Sequence, residues 1–213
     1  MSHIENIQKL FSKSFVENPL LETFEAGKLH VSSGFLVASD PLITPDKQSF
    51  TQKFPIGDFQ IFVHKERESN CIAYAEIVFE NAEIAHWKMA ICEGQNLQDL
   101  KEDEVFGYPV ESGMACFMDQ ETQVLLNQLE QELFHSKGVD FMGIYEEFFH
   151  EHFFDENGAI DQFALLKPYD DKAHNVFAFE AGFGEGFYAT YVGYGQDDKP
   201  VKMVTEFIEI KSE

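Results

Sequence analysis

An α+β protein built mainly on antiparallel β-sheet is predicted by three features of this chain. Apolar residues recur at every second position between Lys28 and Phe79, and again between Phe163 and Ile210, with Pro, Gly and Asp residues punctuating both stretches. Between these blocks, Leu125, Leu129 and Leu133 recur at the spacing of one helix face. Strands followed by helices followed by strands leave no βαβ units, so the sheet should be antiparallel. We expect a meander, formed as two packed sheets or as a partial barrel, with an N-terminal helix and two central helices.

Ser2 and Glu5 stand at capping-box spacing, and Ile4, Ile7, Phe11 and Phe15 follow at helical intervals up to Pro19, which predicts an amphipathic helix within residues 1–19. Leu29/Val31, Phe35/Val37, Phe59/Ile61/Val63 and Ala73/Ala75/Ile77/Phe79 each line one face of a strand. Ser39-Asp40-Pro41 and Pro55-Ile56-Gly57-Asp58 separate them, because proline cannot donate to a ladder and glycine reaches positive φ. Ala85, Trp87, Met89 and Ile91 alternate with His86 and Lys88 in a further strand. Asp119 is placed to cap a helix from Gln120 to His135. Asp140 is placed to cap a second, Phe141 to Phe153, presenting Phe141, Ile144, Phe148 and His152 on one stripe. After Asn157-Gly158, strands are expected at 163–166, 175–180, 187–194 and 201–210, with Gly195 to Pro200 turning between the last two.

A chain of 213 residues fits one domain spanning 1–213, with the N-terminal helix in 1–19 and the α+β body in 27–210. Its 38 Asp and Glu against 15 Lys and Arg give a formal net charge of -23, which repels nucleic acid and anionic lipid alike. Acidity of this size accompanies disorder in chains poor in bulky apolar residues, but 23 Phe supply ample core here. Cys71, Cys92 and Cys116 are odd in number and widely spaced, so neither a disulfide framework nor a metal site is indicated. MSHIENIQKLF carries no basic leader and no apolar run suits a membrane span, so a cytoplasmic location without a membrane partner is expected.

AGFGEGFYATYVGYG places Gly182, Gly184 and Gly186 at two-residue intervals, but an aromatic and β-branched run follows instead of the helix a phosphate loop needs. A glycine-rich bend between strands is expected, with Glu185 at its tip and Tyr188 and Tyr191 near enough to line a pocket. In YPVESGMACFMD, Cys116 is a candidate nucleophile only if a His or a helix N-terminus lowers its pKa; a buried inert thiol is the simpler expectation. His150 and His152 stand two residues apart on a helix, pointing to different faces, so no metal is expected there and no cofactor elsewhere.

Four segments, GKLHVSSGFLVASDP, FPIGDFQIFVH with CIAYAEIVF, FGYPVESGMACFMD, and AGFGEGFYATYVGYGQDDKPVKMVTEF, together resemble the bacterial family known as domain of unknown function 4241. The resemblance runs from about Gly27 to Phe207 and rests on Gly27, Leu29, Ser33, Gly34, Ala38, Asp40 and Pro41, then Phe106 to Asp119, then Gly182 to Gly193. Where the family pattern has Asp, this chain has Glu111 and Glu185, and Phe183 replaces a Trp. An added methylene at two positions weighs against a finely positioned carboxylate centre. The resemblance implies fold and compartment and no activity.

Two functions are therefore carried forward. The first is an acidic intracellular interaction protein that neutralises a basic protein partner, captured through charge. The alternative is a hydrolase-like enzyme on a small molecule, with Glu111, Asp119, Glu185 and Cys116 as candidate catalytic groups and Asp40, Tyr188 and Tyr191 as candidate binding groups. The enzyme requires those side chains to converge on one concave pocket.

Overall fold

The computed structural model describes residues 3–12, 16–43, 47–101 and 104–210. Helix α1 covers His3–Leu10; Ser2 and Phe15, the expected cap and last apolar position, lie outside the described residues. Strands β1 (Leu21–Val31), β2 (Leu36–Ser39), β3 (Gly57–Glu66), β4 (Ile72–Val78), β5 (His86–Met89), β6 (Tyr108–Val110) and β7 (Met114–Asp119) precede helix α2 (Gln120–Lys137). Helix α3 (His150–Phe153) is followed by β8 (Phe154–Asp155), β9 (Gly158–Ala159), β10 (Phe163–Leu166), β11 (Val176–Glu180), β12 (Gly186–Tyr188), β13 (Thr190–Tyr194) and β14 (Pro200–Glu206).

All these strands pair antiparallel, in a six-stranded sheet ordered β1-β3-β4-β14-β13-β5, a four-stranded sheet ordered β10-β11-β7-β2, and the ribbons β12-β6 and β8-β9. Of the two arrangements expected, packed sheets are what forms. Leu29, Ile61 and Ile77 of the larger sheet meet Phe117, Phe177 and Phe179 of the smaller one in the central core. On the outer face of the larger sheet, Ile7, Leu10 and Phe11 lie over Tyr74, Trp87, Tyr191 and Val204. On the outer face of the smaller one, Leu126, Phe149 and Phe153 cover Val37, Met118 and Val176. Each fully buried Phe contributes roughly 2–3 kcal/mol, so both helical coverings add to stability as well as shape.

Helical cover on both outer faces explains where the alternation fades. All six residues of β7 are buried, and a strand covered on both faces reads as a near-continuous apolar run; six of the seven in β14 are buried too, although Lys202, Thr205 and Glu206 are among them. β1 starts at Leu21, seven residues before the alternation becomes visible, because a bulge between Glu25 and Gly27 switches the phase of the pattern. Residues 187–194, expected as one strand, divide at Ala189: β12 joins the ribbon and β13 the large sheet. The last strand ends at Glu206, although Phe207 and Ile208 still donate to the Ala73 carbonyl.

The second central helix is shorter than its pattern predicts. Gly143 at φ +101° blocks a helical start at Phe141, and a π-helical turn over Tyr145–Phe149 precedes α3. Asp140 ends a short 3₁₀ turn, which is closed by the Phe141 amide on the Gly138 carbonyl. The wider turn brings Ile144, Phe149 and Phe153 onto the buried face. His152 is exposed instead of edging the core, and His150 stacks on Phe154 at 5.8 Å. Glu147 pairs with Lys137.

Candidate functional site

The glycine-rich bend is held from beneath. Gly182 and Gly184 have φ of +52° and +105°, and a Cβ on Gly182 would lie 2.9 Å from that of Phe207. The Ala181 amide donates to the Gly113 carbonyl (2.9 Å) and the Gly184 amide to Ala181 (2.6 Å). Tyr188 Oη donates to the Gly184 carbonyl (2.9 Å) while its ring packs edge-on against Phe207 (4.8 Å). Anchored this way, the tip projects Phe183, 71% exposed, and β12 adds Phe187, 56% exposed. Gly186 pairs with Val110 at the end of the ribbon, and Glu185 and Glu111, their chain neighbours there, are both exposed.

Beside Phe183 opens a groove of about 690 Å³, with Leu42, Met114, Tyr145, Phe153 and Phe154 as apolar walls and Glu180 and Ser112 as polar groups. Among the described residues no Lys, Arg or His lines it. Such a surface suits an apolar group attached to a positive charge.

Of the residues singled out in the sequence, Asp40, Glu111, Glu185 and Tyr188 gather around this bend. Asp40 is buried and acts from behind: one carboxylate oxygen accepts the amides of Glu111 (3.0 Å) and Ser112 (2.8 Å), the other that of Leu42 (2.8 Å). The remaining three lie elsewhere. Asp119, at the far end of β7, accepts the Ser32 and Ser33 amides (3.1 and 3.0 Å), both their hydroxyls (3.1 and 2.8 Å) and the Glu121 amide (2.9 Å). It thereby caps α2 and ties it to the β1–β2 loop. Tyr191 sits on the opposite layer, under α1.

Cys116 is fully buried, 3.5 Å from Ser39 Oγ. Burial pushes its thiol up to about 11, only partly countered by the Ser39 hydrogen bond. Iodoacetamide at pH 8 is therefore expected to alkylate the partly exposed Cys71 and Cys92 while sparing Cys116 until the chain is denatured. Peptide mass mapping reads this directly, and native modification of Cys116 would contradict the burial.

A second constellation gave no sequence signal. On the outer face of the large sheet, Glu76 Oε2 meets His64 Nε2 at 3.0 Å and Glu76 Oε1 meets Lys202 Nζ at 2.5 Å; all three are at most 3% exposed. Thr23 Oγ1 approaches His64 Nδ1 at 2.8 Å. Nearby, Glu206 Oε1 accepts from Tyr74 Oη (3.3 Å) and Asn6 Nδ2 (3.4 Å). Period-two alternation assigns these positions to the polar, solvent-facing side of their strands, yet they are buried, with the Phe11 ring 5.3 Å from that of His64 and 5.8 Å from Lys202 Nζ.

Burial raises the Glu76 pKa, but the His64 hydrogen bond and the Lys202 charge together outweigh it and hold the carboxyl below its usual value of 4.5. A carboxyl whose folded pKa is depressed stabilises the fold fully above its unfolded value, and that stabilisation is lost as pH falls through the folded one. Urea midpoints should therefore drop below about pH 4.5 in the wild type, and Glu76→Gln should flatten this part of the profile. An unchanged acid limb in the variant would remove Glu76 from the explanation.

An antiparallel double-sheet α+β protein with an acidic, aromatic-edged groove is the class that fold and site define. The profile of a family described as "Protein of unknown function (DUF4241)" matches residues 29–205 of this 213-residue chain, and the chain belongs to that family. No curated protein and no solved structure matches it. Among the described residues no helix is long and apolar enough to cross a membrane.

Proposed function

We propose that this protein binds a basic polypeptide, seating an apolar side chain of that partner in the groove beside Phe183. The observation that carries this is the coincidence, at one rigid bend, of exposed aromatic rings, an apolar groove and three carboxylates, Glu111, Glu180 and Glu185, with no lining cation among the described residues. Aromatic anchors ringed by charge are where binding energy concentrates, and a net charge of -23 accelerates capture of cationic partners while repelling polyanions. Three free cysteines fit a reducing compartment, in keeping with a cytoplasmic partner.

The geometry favours binding over a carboxylate-based hydrolase. Asp119 spends both oxygens on five donors, Cys116 is sealed and protonated, and Glu111 and Glu185 stand open to solvent.

Affinity capture from the native host at low salt is expected to recover a basic protein whose retention falls as salt rises. Phe183→Ser, a surface change, should weaken the isolated complex at least tenfold, equivalent to about 1.4 kcal/mol. A chain that elutes alone at every low salt concentration, or a Phe183→Ser variant holding the same partner equally well, would count against the proposal.

A further inference from the structure

Building on the groove as the binding site of a basic polypeptide, we infer that the partner sets an arginine beside its apolar anchor, and that Glu180 and the Tyr145 ring receive the guanidinium. A volume of about 690 Å³ lies in the range that encloses whole drug-sized ligands, so the groove has room for more than one apolar side chain. Strand register fixes where its charge sits. Glu180 pairs with Met114 across β11 and β7, and directly opposed residues of an antiparallel pair share one face of the sheet. Met114 belongs to the outer-face cluster that holds Phe149 and Phe153. The Glu180 side chain therefore emerges on the covered outer face, in one groove with Tyr145 and Phe153.

This carboxylate has no counter-charge in the groove. Among the described residues it accepts one side-chain hydrogen bond, from the neutral Gln162 Nε2 at 3.0 Å, and no Lys, Arg or His lines the walls. His150, in ring contact with Tyr145 and Phe154 at 5.7 and 5.8 Å, stands outside the lining. Burial, and then the charges of Glu146 and Glu180, push the Tyr145 phenol above its ordinary value. The two carboxylate contributions mark a negative potential on this wall, which a cation relieves.

Shape chooses among cations. A guanidinium is planar, stacks on aromatic faces and holds water weakly, whereas an ammonium is a compact, strongly hydrated charge. A half-buried carboxylate in one groove with the Tyr145 ring suits the first. The N–H fork donates to Glu180, its flat face meets the ring, and the methylene stem runs along the apolar wall.

The strand period of two, which points alternate side chains the same way, sets the probes: labelled acetyl-Gly-Leu-Gly-Arg-Gly-amide and its lysine and citrulline counterparts. Fluorescence anisotropy with the full-length protein at pH 8 reads the affinities. Lysine carries the same charge as arginine, so general attraction to a chain of net charge -23 cancels in the comparison. The arginine peptide is expected to bind roughly fivefold more tightly than the lysine one, and more tightly still than the uncharged citrulline one. Glu180→Gln keeps an oxygen for Gln162 but removes the charge, and should weaken the arginine peptide roughly tenfold while leaving the citrulline peptide unchanged. Glu83→Gln, an exposed change of equal charge outside the lining, should weaken neither. Cys71 lines the groove and Cys92 does not, so the bound arginine peptide should slow iodoacetamide at Cys71 alone. Equal affinity for arginine and lysine, a Glu180→Gln loss no greater than that of Glu83→Gln, or Cys71 alkylation at the free rate would overturn the arginine. Capture of a native partner that still depends on Phe183 would then leave the groove itself standing, and capture indifferent to Phe183 would remove both.

Discussion

Truncating Lys202 to alanine is expected to lower the unfolding free energy at pH 7 by about 3–5 kcal/mol, the usual cost of breaking a buried ion pair from one side. Lys202 and Glu76 are 2% and 3% exposed and sit 2.5 Å apart, so removing the ammonium leaves a buried carboxylate whose charge is no longer balanced by it. Replacing both charges, in a Lys202→Met/Glu76→Gln double variant, should cost much less, because the introduced amide oxygen still accepts from His64, as the carboxylate does, and neither member of the pair is left charged without the other. Urea unfolding of the three proteins tests this. A single variant within about 1 kcal/mol of wild type would mean that water already reaches the pair.

Asp119→Ala is the second large effect, expected at about 3 kcal/mol or roughly 6–12 °C in Tm for a chain of this size. About 1 kcal/mol is the lost helix cap. The remainder comes from the Ser32 and Ser33 amides, whose acceptor is this carboxylate at 3.1 and 3.0 Å in a position with no exposure of its own. Asp119→Asn keeps one acceptor oxygen and should lose less. Calorimetric melts of both variants give the comparison, and equal losses would show that the cap geometry alone matters.

Both effects arise where chain pattern and three-dimensional position part company. Asp119 was visible as a cap because its signal is local: an acidic residue directly before a run with leucines four apart. Its second role, binding the β1–β2 loop across 86 and 87 positions of sequence, has no local signature. His64, Glu76 and Lys202 lie on three neighbouring strands, and each reads as the outward member of an alternating pair. The bend at 182–186 was legible as a bend, since its glycines and the aromatic run after it exclude a phosphate loop. Its relation to Leu42, Tyr145 and Phe153 was not. Those residues come from three other segments, one of them a π-helical turn whose five-residue spacing the helical pattern missed.

Class, strand-rich architecture, the cap of α2 and the acidic exterior were settled by residues close to one another in the chain, because alternation, turn chemistry and net charge are local or additive properties. The assembly of Glu111, Glu185 and the exposed rings at one bend, with Glu180 and Phe183 lining the groove beside it, came only with tertiary folding. So did the burial of charges on the outer face of the large sheet, the division of 187–194 between two sheets, and the scattering of Asp119, Cys116 and Tyr191 away from the bend. The physical reason is that burial belongs to a pair of surfaces: a strand carries the pattern of its own two faces, and nothing in that pattern says which distant segment will cover them.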